Sequence, residues 1–283
     1  MTAVDRYIVT LRCVDAPGVI HAMSSALLGI NGNILEQAQF TDEITGKFAM
    51  RTRFESPVTN LDDVRSAILS AVATFDPVIT VRHEEVRRRA LIMVSSQDHC
   101  LVDLLYRHAN GELPIEIPLI VSNHESCRAL AGQYGIPFVF LPVADNKSAA
   151  ESELMTLIDD HAIDVVILAR YMQILSDNLC SALEGRIINI HHSFLPGFKG
   201  ARPYQQAYDR GVKLIGATAH FVTAHLDEGP IIEQDVHRVQ HNHSASDLAE
   251  IGRDVERLVL ARAVRLYAED RVLLDDQRTV IFA

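Results

Sequence analysis

The sequence predicts an α/β protein in two parts: a small split βαββαβ unit, then a larger, mostly parallel sheet covered by helices. Three observations predict it. Strand-like and helix-like periodicities follow the order β-α-β-β-α-β over residues 7–82. From Ala90 onward, short and continuously apolar strands alternate with helical stretches, the pattern of a sheet buried on both faces. Between them lies the charged stretch His83-Glu84-Glu85-Val86-Arg87-Arg88-Arg89, which reads as a linker or solvated turn. The expected division is therefore residues 1–83, a linker at 84–89, and 90–283. A chain of 283 residues exceeds the usual size of one domain, which fits two.

The elements follow in order. Tyr7 to Val14 is rich in β-branched and apolar residues and reads as a strand. Asp15-Ala16-Pro17-Gly18 breaks it; Asp15 is suited to capping and Pro17 to a first helical turn. Val19, Ile20, Met23, Leu27 and Leu28 recur at helical spacing, and Asn31-Gly32-Asn33 ends that helix. Strands at 34–41 and 47–54 flank a turn at Glu43-Ile44-Thr45-Gly46. A helix from Asn60 to Phe75 and a strand at Val78 to Arg82 complete a ferredoxin-like unit. In the second part, strands are expected at Leu91–Ser95, Ile117–Val121, Phe138–Leu141, Val165–Leu168 and Arg186–Ile190, with helices such as Glu151–His161 and Ser176–Leu183 between them. This is a Rossmann-like pattern, which binds ligands beyond the strand C-termini. No G-x-G-x-x-G or P-loop follows any strand, so a nucleotide cofactor lacks its usual support. Near the end, Ser244-Ala245-Ser246-Asp247 reads as a capping box. A buried helical face is then expected at Ile251, Val255, Leu258, Val259, Ala263 and Leu266.

Composition excludes several functions. The net charge of −11 argues against a nucleic-acid partner, because phosphate binding relies on Lys and Arg. Met1 to Arg6 carries no apolar signal core and no long apolar run occurs, so a cytoplasmic location and no membrane span are expected. Cys13, Cys100, Cys127 and Cys180 form no C-x-x-C pair, which leaves reduced thiols as the expectation. His237, His241 and His243 lie on a strand and loop without the fixed geometry of a metal site. No metal is expected.

The chemistry concentrates in two segments. At the end of one strand stands Ile188-Asn189-Ile190-His191-His192-Ser193-Phe194-Leu195-Pro196. Residues two apart share a strand face, so Asn189 and His191 project together while His192 points away. An amide beside an imidazole suits a carbonyl-centred reaction, in which one stabilises an oxyanion and the other moves a proton. Further on, a strand Gly216–Val222 containing His220 leads to Leu226-Asp227-Glu228-Gly229-Pro230-Ile231-Ile232, and Asp227 supplies a carboxylate from a loop. His192 and His220 are supporting candidates.

N-I-H-x-S-x-L-P followed by L-D-x-G-P-I-I resembles the formyltetrahydrofolate-dependent formyltransferase and hydrolase superfamily, from about Leu91 to Ile281. H-H-S-F-L-P, G-A-R-P-Y-x-Q-A-Y and the N-terminal unit resemble its formyltetrahydrofolate deformylase branch. The resemblance implies catalytic roles for Asn189, His191 and Asp227. It implies hydrolysis of 10-formyltetrahydrofolate, as substrate and without any cofactor, to formate and tetrahydrofolate. That reaction balances one-carbon pools and supplies formate for purine synthesis. It also implies that Arg170, Tyr171, Met172, Ile174 and Leu175 form the loop that holds the pterin ring. Gln205 departs from the histidine expected there. The alternative is an amine-accepting formyltransferase such as glycinamide ribonucleotide transformylase. Those enzymes hold the acceptor's phosphate in a glycine-rich turn after the first strand, where bare amides open a helix. Here that turn reads Ser95-Ser96-Gln97-Asp98-His99-Cys100, with no glycine, and Asp98 would repel phosphate while suiting the helix N-terminus. Water is the expected acceptor.

The N-terminal unit resembles an ACT domain through D-x-P-G at Asp15, Pro17 and Gly18, and through N-G-N-I after the first helix. This implies a small amino-acid effector, glycine or methionine, near Asp15, Gly18, Asn31 and Asn33, between subunits of a homo-oligomer. A purely oligomerising domain is the other reading.

Overall fold

The computed structural model describes residues 4–144, 146–197 and 203–283, which group into two compact units. Gly200, Ala201 and Arg202 of the G-A-R-P-Y motif lie outside the described residues.

The first unit holds β1 (Asp5–Val14), α1 (Val19–Gly29), β2 (Asn33–Asp42), β3 (Lys47–Ser56), α2 (Leu61–Val72) and β4 (Val78–His83). Its antiparallel sheet has the order β2-β3-β1-β4. Tyr7, Val9 and Leu11 alternate along β1 and so face one side. There they meet Phe48, Met50 and Phe54 of β3, Val19, Met23 and Leu27 of α1, and Val64, Ile68 and Val72 of α2. Asn60 caps α2 by accepting from the amides of Asp62 and Asp63. Asp15 does not cap α1. Gly18, with φ at 102°, occupies the cap position, and Asp15 sits three residues upstream with its amide on the Gly46 carbonyl.

The second unit holds β5 (Arg88–Val94), α3 (His99–Ala109), β6 (Ile115–Ser122), α4 (Arg128–Gln133), β7 (Phe138–Phe140), α5 (Lys147–Asp160), β8 (Val165–Leu168), α6 (Asp177–Ala182), β9 (Ile187–His191), α7 (Pro203–Asp209), β10 (Leu214–Phe221), β11 (Ile231–Arg238) and α8 (Ala245–Ala268). A hairpin of β12 (Val272–Asp275) and β13 (Arg278–Ile281) ends the chain. Residues 270–273 and 280–283 group with the first unit. Arg88 and Arg89, read from sequence as linker, instead open β5. Their backbones pair with Ile115 and Glu116, and their side chains reach Asp164 and Glu116. Ladder formation is indifferent to charge when side chains find partners.

The sheet order is β11-β10-β9-β8-β5-β6-β7. Strands β5 to β9 run parallel, and β10 and β11 reverse direction at one edge. Leu91 and Met93 face a core with Leu154 and Ile158 of α5 and Leu179 of α6. On β5, Ile92 and Val94 are also buried, and α8 packs on β9, β10, β11 and α3. After β5 the chain builds β6 and β7 on one side, then returns to place β8 and β9 on the other. The C-terminal ends of β5 and β8 therefore flank a topological switch point.

The capping box at Ser244 and Asp247 starts α8 as expected. Its buried face is rotated from the expected one. Leu258 is 38% exposed, and Glu256, Leu260 and Val264 are buried beside Val255, Val259 and Ala263. The helix contacts both sheet and α3, so its stripe is centred near Glu256 and Val259 rather than Leu258.

Candidate active site

Asn189 and His191 stand two apart near the end of β9, and the antiparallel register sets His220 of β10 opposite Asn189. Cross-strand neighbours share a face. The Asn189 amide nitrogen lies 3.3 Å from His220 Nε2, and His220 Nδ1 lies 2.8 Å from the Phe221 carbonyl. The carbonyl accepts, so Nδ1 carries the proton and Nε2 accepts from the Asn189 amide. This fixes the amide orientation and leaves Asn189 a second N–H. Burial lowers the His220 pKa, keeping the ring in this neutral form.

Asp227 comes from the loop joining β10 and β11, with φ at 56°. Its Oδ1 lies 3.2 Å from His191 Nδ1 and 3.9 Å from His220 Nε2. The loop closes tightly: a Cβ on Gly229 would come within 1.7 Å of the Phe221 carbonyl oxygen, so only glycine holds this bend. Burial pushes the Asp227 pKa up, but the hydrogen bond and charge of His191 outweigh it, and the net shift is down. His191 is buried, and its Nε2 makes no hydrogen bond among the described residues.

These residues line a cleft of about 250 Å³ together with Arg170, Tyr171, Met172, Gln173, Ile174 and Leu175. That loop follows β8 and is pinned to Ser95, the residue after β5. The Ser95 amide donates to the Arg170 carbonyl, and the Met172 amide donates to the Ser95 hydroxyl. Met172 and Ile174 are 55% and 64% exposed, so they present apolar surface where they line the cleft. Tyr171 is buried, and that burial raises its phenol pKa to about 12.

His192 does not simply point away. Its ring lies 5.1 Å from that of His191 and 6.1 Å from that of Tyr204, and it lines the same cleft. Burial, then the cation of Arg170, lowers its pKa to about 3, so it is neutral in ordinary buffers. Gln205 lies on α7 and donates to Asp209. Asp98 precedes α3 but makes no side-chain cap bond. Asp15 and Gly18 lie at one end of α1, and Asn31 and Asn33 at the other, roughly 16 Å apart for 11 residues at 1.5 Å each.

Sequence reasoning missed Glu256. It is 1% exposed, yet it accepts from the Tyr204 hydroxyl at 2.5 Å, pairs with His99 at 2.8 Å, and lies 3.4 Å from the Arg170 guanidinium. Its one legible signal is an acid on the Gly252, Val255, Val259, Ala263 stripe of α8. A Cβ on Gly252 would lie 2.1 Å from the Tyr204 hydroxyl, so this glycine admits the tyrosine. His99, Cys100 and Glu256 are the metal-type donor cluster among the described residues. Arg170 already neutralises the carboxylate, and burial holds the Cys100 thiol well above its ordinary pKa, so the set suits a cation poorly.

Residues 88–264 match the family model described as formyl transferase. The chain is 46% identical to the formyltetrahydrofolate deformylase of Corynebacterium sp. (strain P-1), over 98% of each chain. A crystal structure of a formyltetrahydrofolate deformylase from Pseudomonas syringae superimposes with a TM-score of 0.96 at 43% identity, covering 99% of this chain and 95% of that one. The glycinamide ribonucleotide transformylase 1 of Symbiobacterium toebii matches less of it: 70% of this chain and 95% of that one, with a TM-score of 0.67 and 30% identity.

Proposed function

The chain belongs to the formyltetrahydrofolate deformylase family, and on that footing we propose that Asn189, His191 and Asp227 carry out its reaction, hydrolysis of 10-formyltetrahydrofolate to formate and tetrahydrofolate. The observation behind this assignment is the convergence of an amide, an imidazole and a carboxylate on one cleft, with His191 Nδ1 3.2 Å from Asp227.

Asp227 orients a water and helps to deprotonate it, directly or with His191 taking the proton. The water oxygen bonds to the formyl carbon, and the carbonyl π electrons move to oxygen. The free N–H of Asn189 and the protonated His191 stabilise that oxyanion. As the tetrahedral centre collapses, the carbon–N10 bond breaks and His191 gives a proton to N10. Formic acid then loses its own proton to solvent. On the route through His191, Asp227 stays ionised, as its lowered pKa favours, and stabilises the imidazolium. Met172, Ile174 and Leu175 support the pterin ring, and no metal or cofactor enters the scheme.

Formate should appear stoichiometrically with tetrahydrofolate in plain buffer. Mass-spectrometric quantification of both products checks this, and a strict requirement for an added amine would overturn it.

The first unit is proposed to bind a small amino acid, glycine or methionine, between two copies of the chain. Its support is the ACT-like D-x-P-G and N-G-N-I segments, together with the exposure of Asp15, Gly18, Asn31 and Asn33. Since these lie at opposite ends of α1, a site uniting them draws one end from each copy. Titrating each amino acid into the full chain should shift activity or thermal stability, with coupling of about 5- to 150-fold on binding. No shift with either amino acid would leave the unit as an oligomerising module.

A further inference from the structure

Arg170 combines features that a pterin-loop residue does not require. Its backbone φ is 64°, in the left-handed region that a long L side chain rarely adopts. Its side chain is only 7% exposed. The guanidinium does not run out to solvent. Its Nε and Nη2 both donate to Gln97 Oε1, at 3.1 and 2.9 Å, and Nε lies 3.4 Å from Glu256. Its Nη1 is buried with no hydrogen-bond partner among the described residues. Glu256 is tied in turn to His99 and Tyr204, and the Tyr204 ring approaches His192, which neighbours His191.

The position of this cluster gives it meaning. Arg170 follows the end of β8 and Gln97 follows the end of β5, the two strands that flank the switch point. In open α/β sheets that crevice is where a ligand enters. The folate cleft draws on the ends of β8, β9 and β10, so the β5 side is the space left for a second reactant. Here a buried ion pair fills it. Opening the crevice would leave Glu256 a buried charge with less compensation, so the plug resists displacement.

We propose that Arg170, locked by Gln97 and Glu256, is the specificity-determining residue that closes the acceptor side of the site and leaves water as the formyl acceptor. This rests on the hydrolase reading above. The acceptor class excluded is the primary amine, whose nitrogen must approach the formyl carbon with its substituent lying in the crevice. The left-handed backbone at position 170 is one that glycine adopts without strain, so Arg170→Gly removes the plug and leaves the turn intact.

The test incubates the full-length wild type, Arg170→Gly and Gln97→Ala with 10-formyltetrahydrofolate and excess glycinamide. The readout is the ratio of N-formylglycinamide to formate, which does not depend on the overall rate. The amine nitrogen bonds to the formyl carbon, the carbon–N10 bond breaks, and the amine's proton passes to N10. The wild type should yield formate almost alone. Arg170→Gly should raise the ratio by roughly 10- to 100-fold, the range that a change in pocket space confers. Gln97→Ala, which leaves the Glu256 pair in place and so guards against a folding defect, should raise it by less. A folded variant with the wild-type ratio overturns the plug. Wild-type dependence on the amine would instead overturn the hydrolase reading, so the two failures are distinct.

Discussion

Asn189→Ala is expected to lower kcat by about 100- to 1,000-fold, while KM for 10-formyltetrahydrofolate changes little. The amide is held by His220 at 3.3 Å, and His220 is held by the Phe221 carbonyl at 2.8 Å, so its free N–H is aimed before substrate arrives. A donor fixed in advance stabilises charge that develops only in the transition state, and its loss falls on turnover rather than on binding. His191→Ala and Asp227→Ala should lie in the same range or beyond. Because Asp227 contacts His191 directly, the double variant should lose much less than the product of the two single losses. Steady-state kinetics on each variant, with folding checked by circular dichroism, measures this. Near-normal turnover in any one variant removes that residue from the mechanism.

The second large effect is on stability. Glu256→Ala should destabilise the fold by about 3–5 kcal/mol, since it strands the buried Arg170 guanidinium and removes the partner of His99 and Tyr204. For a domain of this size that is a fall in Tm on the order of 6–20 °C. Glu256→Gln keeps the shape and should lose less. The pH dependence has a definite sign. Burial raises the Glu256 pKa, but hydrogen bonding from His99 and the Arg170 charge outweigh it, and the folded-state value is depressed. Its stabilisation is therefore present above the ordinary carboxylate range and is lost as pH falls through the depressed value. The wild-type and Gln variants should converge in stability on acidification. Calorimetry across pH checks both statements, and an unchanged Tm in Glu256→Ala would show that the network is not holding α8 to α3.

What the sequence determined by itself is the order and type of the elements. Short-range periodicity records burial: Tyr7, Val9 and Leu11 alternate because one face of β1 is covered, and Leu91 to Val94 run apolar because both faces of β5 are. Local capping chemistry is equally legible, as at Asn60 and at Ser244 with Asp247. Asn189 and His191 could be named because their spacing lies within one strand. Tertiary structure alone decided the buried charges. Nothing near Glu256 in the chain announces His99, 157 positions away, and nothing near Arg170 announces Gln97, 73 positions away. It also decided that the stripe of α8 centres on an acid, that His220 orients Asn189, and that Arg170 turns inward. The physical reason is that a charge is tolerable in a core only when its partners are already in place. Those partners are assembled by the return of the chain to β8 and by the packing of α8 on α3.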